Sequence, residues 1–89
     1  MSLSTAFAQI AVHGSAVDRL TLEIAQAEAE VIKAAGGGKP DEHKAALEHQ
    51  ARLRALLGIA KDAFEFWKDV VKTILGLIKS VNELAQGSR

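Results

Sequence analysis

GGGKPDE, residues 36 to 42, decides how this chain folds. Three consecutive glycines carry a high cost in a helix, and the proline pushes Lys39 out of helical geometry, so a helix arriving from the N-terminal side ends near Ala35. Pro40 suits the first turn of a following helix, and Asp41 and Glu42 fall at that helix's positive end. The stretch is therefore a break between two helices. On either side of it the chain reads helical: there is no second proline, alanine is abundant, and the β-branched residues recur at helical spacing instead of alternating.

Upstream of the break, Leu3, Ile10, Val17, Ile24 and Val31 recur every seven residues, with Ala6, His13, Leu20, Ala27 and Ala34 three positions further on. This is a heptad seam whose small residues let a neighbouring helix come close. Gly14 and Ser15 weaken the segment and point to a kink or a frayed beginning, which places the firm part of the helix at about Ser15 to Ala35. Downstream, Ala46, Leu53, Ala60, Trp67, Ile74 and Val81 again recur by seven. From Leu56 onward both flanking rows are apolar as well: Leu56, Ala63, Val70, Leu77 and Leu84 on one side, Leu57, Phe64, Val71, Ile78 and Ala85 on the other. One partner helix cannot cover so wide a stripe. Gly58 and Gly76 interrupt it at a cost on the order of 1 kcal/mol each.

Length then sets the architecture. At 1.5 Å per residue, a helix over residues 41–86 is roughly 69 Å long, and one over 4–35 only about 48 Å. Folded back at a loop over 36–40, the two arms cannot match. The expected fold is an all-α antiparallel helical hairpin, one domain over residues 1–89, with a longer second helix completed by oligomerisation in coiled-coil or helix-bundle packing. The end of that helix, about Val71 to Leu84, is left without an intramolecular cover, and it is the most apolar part of the chain. Burying one large aliphatic side chain is worth roughly 1.5 to 3 kcal/mol, so a partner is expected there. The expected interface comprises Phe64 and Trp67, then Val70, Val71 and Ile74, and finally Leu77, Ile78, Val81 and Leu84.

Bulk composition narrows the function classes. With 89 residues the chain buries a modest share of its surface unless a partner adds more. Cysteine is absent, so neither disulfides nor thiolate metal sites supply the missing stability. Eleven basic residues balance eleven acidic ones, which gives no electrostatic reason to expect nucleic acid or an anionic membrane as the main target. Apolar or glycine runs such as Ile74 to Ile78 are far short of the roughly 18 residues needed to span a bilayer. The N-terminus lacks the basic start and apolar run of a cleavable secretory signal.

No catalytic, cofactor-binding or metal site is expected. His43 and His49 are six residues apart and fall on different helical faces, while His13 belongs to the other segment. The lysine in GGGKP is not followed by the Ser or Thr of a phosphate loop and no strand precedes it, so the stretch reads as a plain helix breaker. Ser2, Ser4, Ser15, Ser80 and Ser88 have no nearby base to activate them. Glu28, Glu30, Glu48 and Glu65 lie among lysines and arginines as solvated faces, with Glu48 and Arg52 at the spacing of a helical ion pair. Trp67 occupies a heptad position, the place of a core or interface aromatic. A competing reading makes it a peripheral membrane anchor, with Phe64 and Phe66 beside it and Lys61, Lys68, Lys72 and Lys79 around it. Asp62, Glu65, Asp69 and Glu83 offset those lysines and reduce any attraction to anionic lipid.

The order of a helix, a short proline-bearing loop and a longer helix with a "KD" pair before an aliphatic end resembles the needle subunits of bacterial type III secretion systems. Pro40, then Lys68 and Asp69, then Ile74 and Leu75 carry the resemblance, which covers roughly Leu20 to Ile78. Leu47 and Leu53 stand where that family carries a glutamine and tyrosines. Three glycines replace a paired-proline turn, and the chain continues about ten residues past the family's usual end. PDEHKAALEHQARLRALLGIA, from Pro40, also resembles the second helix of the small helical-hairpin co-chaperones that hold needle subunits before export. Both resemblances imply protein transport, a location in the bacterial cytoplasm before export or at the cell surface, and an apolar helix completed by other chains. The partner is then a second copy or another helical protein, and the alternatives to a needle-like filament are a closed dimer or hetero-complex and a peripheral membrane contact.

Overall fold

The computed structural model describes residues 2–87, and it is an all-α antiparallel hairpin of two helices, α1 (Leu3–Gly36) and α2 (Pro40–Gly87). The α carbons span 78 × 16 × 14 Å, the outline of a rod two helices wide for part of its length. Gly36 closes α1, and the Gly37 N–H donates to the carbonyls of Lys33 and Ala34 at 3.1 and 3.2 Å, satisfying acceptors that the ending helix leaves open. Gly38 takes φ of 72°, a backbone state that a side chain disfavours. The Lys39 carbonyl accepts the first bond of α2 from the His43 N–H at 3.1 Å, and Pro40 stands where no N–H is needed.

Helix α1 is less interrupted than its sequence implies. It is unbroken from Leu3, where a kink or frayed start was expected at Gly14 and Ser15. Two features account for this. Ser2, extended at φ −103° and ψ 159°, caps the helix by accepting the Thr5 N–H on its Oγ at 3.1 Å. Gly14 gives the Phe64 ring its seat: a Cβ there would lie 3.2 Å from Phe64 Cε2. The glycine that weakens α1 locally thus makes room for an aromatic ring of α2.

Both heptad seams meet along the hairpin. Leu20 and Ala27 of α1 form the core with Leu53 and Ala60 of α2, and Ala16, Val17, Ile24 and Leu57 pack around them. Alternating leucine with alanine lets the helices approach while large side chains fill the gaps. Among the described residues no large side chain is fully buried, because two helices make a single contact layer without a closed interior.

Candidate functional site: the unmatched end of the second helix

Two contacts bracket the register of the hairpin to within four residues. Phe64 lies over Gly14, and the Arg54 guanidinium donates to Glu28 Oε1 at 3.0 Å. Beyond the Gly14–Phe64 level, α1 has eleven residues left and α2 has twenty-three. The twelve extra residues of α2 extend it about 18 Å past the start of α1. Counted this way Leu75 is level with the first residue of α1, and every described residue from Leu75 onward is exposed.

The expected interface residues divide at that point. Val71 is buried, and Phe64, Trp67, Val70 and Ile74 are half-buried within the hairpin. Val71 and Ile74 were expected to be bare, and the added turns of α1 ahead of Ser15 are what cover them; Ala6, in those turns, is itself fully buried. Leu77, Ile78 and Val81 stand at 62%, 45% and 63% exposure, and Leu84 is exposed as well. Leu75, inside the segment expected to be uncovered but not named among the interface residues, belongs with them at 49%. Its signal was its place one heptad after Lys68, at the margin where charged residues give way to aliphatics.

A second surface lies along the side of α2. Leu56, Ile59 and Phe66 are exposed, and Phe66, Asp69, Val70, Thr73 and Ile74 line a shallow, mostly apolar depression. The Thr73 hydroxyl donates to the Asp69 carbonyl at 2.9 Å, so it is satisfied within its own helix. Phe66 meets Trp67 edge to face, with centroids 5.4 Å apart and an 80° interplanar angle, and Lys68 Nζ stands 5.2 Å from the Phe64 centroid. Trp67 is therefore a packed seam residue in this hairpin, with one edge toward solvent.

Four ion pairs are formed among the described residues, at 3.0 to 3.7 Å: Arg19 with Glu23, Lys39 with Glu42, Arg54 with Glu28, and Lys68 with Glu65. Glu48 and Arg52, though at pair spacing, are not joined. The described residues contain no group of three or more histidines or acids placed to hold a metal ion, and no helix long and apolar enough to cross a membrane. No family model matches the chain, and no curated protein or solved structure proved similar to it.

Proposed function

We propose that this chain is a non-enzymatic assembly subunit that associates with further copies of itself through the distal end of α2, as a needle-like filament component of a protein secretion system does. The observation that carries the reading is the run Leu75, Leu77, Ile78 and Val81, exposed on a helix whose intramolecular partner stops short of them. Each such side chain gains roughly 1.5 to 3 kcal/mol on full burial, so association there is favourable unless ordering costs exceed it. The filament form rests on the likeness to needle subunits over Leu20 to Ile78.

Molar mass in solution across a concentration series tests this. The expected result is a mass that climbs with concentration, and an Ile78→Asp chain whose mass does not climb beyond a small species while its far-UV circular dichroism stays helical. A wild-type chain that remains monomeric at high concentration overturns the proposal. A mass that levels off at a small closed oligomer, unchanged by Ile78→Asp, overturns the filament and favours the adaptor alternative.

A further inference from the structure

Helix α2 carries a second seam that α1 borders but leaves largely open: Leu56, Ile59, Phe66, Thr73 and Leu77 are exposed, and Ala63 and Val70 half-buried. Leu56, Ile59, Ala63, Phe66, Val70, Thr73 and Leu77 follow the same alternation of three and four residues as the seam through Leu53, Ala60, Trp67 and Ile74, roughly 100° around the helix. That angle is close to the one at which a helix in a four-helix bundle meets its second neighbour. We propose that a second copy of this chain fills the seam with its α1, about a two-fold axis parallel to the helices. This deepens the preceding reading and rests on its premise that copies of the chain associate.

Such an axis leaves nothing to adjust along the rod. The partner copy's α1 must stand at the same height as this chain's own α1, so the residues that face each other are dictated by the Glu28–Arg54 level. Two residues toward the loop on each helix stand Glu30 and Arg52. Five and six residues toward the loop stand Lys33 and Glu48; nine and eight residues the other way stand Arg19 and Asp62. By heptad position all six flank the side of the hairpin opposite the Glu28–Arg54 pair. At each of the three levels the charges are opposite in sign, and all but Arg19 lack an ion pair among the described residues.

The apolar match falls at the next level. Val12, a lone valine at 61% exposure on α1, comes level with Val70, next to Asp69, where the depression on α2 lies. Ala16 comes level with Phe66, a small residue opposite a ring. Asp69 meets no cation and stays at the solvent rim. Every neighbouring pair of helices in the resulting bundle is antiparallel, which sets their dipoles favourably. The alternatives match less well: an antiparallel two-fold pairing of α2 with α2 sets the row of Asp62, Asp69 and Glu83 against its own copy, and like charges so placed repel. In the proposed dimer both α2 ends emerge at the same end of the bundle.

The absence of cysteine permits a clean test. Chains carrying only Val12→Cys and only Asp69→Cys are prepared, then oxidised separately and mixed, and read on a non-reducing gel. The proposal expects a disulfide-linked dimer in the mixture and in neither chain alone. A linked dimer from Asp69→Cys alone would mean the antiparallel pairing and overturn it, as would no link in any sample. Asp62→Arg should weaken dimerisation about tenfold at low salt, and adding Arg19→Glu should restore it; failure of the rescue also counts against the pairing. Ile78→Asp separates the two readings. If it stops growth of the mass while no mixed link forms, assembly through the α2 end stands and this dimer falls. If the mixed link forms and Ile78→Asp changes nothing, the dimer stands without the filament.

Discussion

The α2 segment covered by α1, Pro40 to Ile74, and the segment beyond it, Leu75 to Gly87, share one heptad pattern and have different surroundings. Leu53, Ala60, Trp67 and Ile74 lie against α1, and Val81, the next member of the same row, is exposed. Ile78 continues the row of Phe64 and Val71 in the same way. Periodicity thus identifies which face of a helix is apolar. Whether that face finds its cover within the chain depends on how far the other helix reaches.

The sharpest way to break this comparison is to make the same truncation on both sides of the divide. In the non-assembling Ile78→Asp background, Leu53→Ala should cost about 2 to 5 kcal/mol, enough to unfold much of so small a hairpin. Leu77→Ala should cost less than about 0.5 kcal/mol there and weaken association instead in the otherwise native chain. Urea titrations followed by circular dichroism read the first effect, and molar mass reads the second. Equal losses from the two substitutions would erase the distinction between the segments.

Glycines sharpen it further. Gly14→Leu drives a side chain into the space of the Phe64 ring and should destabilise the hairpin by about 1 to 3 kcal/mol. Gly58 has nothing within 4 Å of a built Cβ, so Gly58→Ala should stabilise by about 0.5 to 1 kcal/mol, seen as a higher urea midpoint with an unchanged slope. The smallest effect belongs to Glu28→Gln. The pair with Arg54 is more than half exposed on both sides, so its loss should cost no more than about 1 kcal/mol, and less as salt is raised.

Much of the fold was legible because one signal governs it. GGGKP locates the turn, and the two seven-residue patterns locate the facing surfaces. The observed bounds, Leu3–Gly36 and Pro40–Gly87, lie within a residue of the expected helices over 4–35 and 41–86. The error at Gly14 has a definite cause: helix propensity is local, whereas the advantage of a bare backbone there comes from Phe64, fifty residues away. The candidate site was legible as a broad apolar stripe, but its boundary was placed at Val71 instead of Leu75. That placement rests on arm lengths alone, whereas the boundary depends on the register at which Phe64 meets Gly14. Ile59 and Phe66 are absent from the expected interface because the row of Leu56, Ala63, Val70 and Leu77 reads as the flank of one seam and not as half of a second. The i, i+4 spacing of Glu48 and Arg52 permits an ion pair but does not require one, and in the structure those side chains do not join.

The Ser2 cap has a consequence beyond the helix that it starts. It fixes where α1 begins, and so how much of α2 protrudes. Each helical turn grafted ahead of Ser2 would sheathe about 5.4 Å more of the protruding rod, and three or four turns would sheathe all of it. The cohesiveness of this molecule is therefore graded by an arm at the far end of its sequence, and can be dialled down stepwise without altering a single residue of the sticky surface.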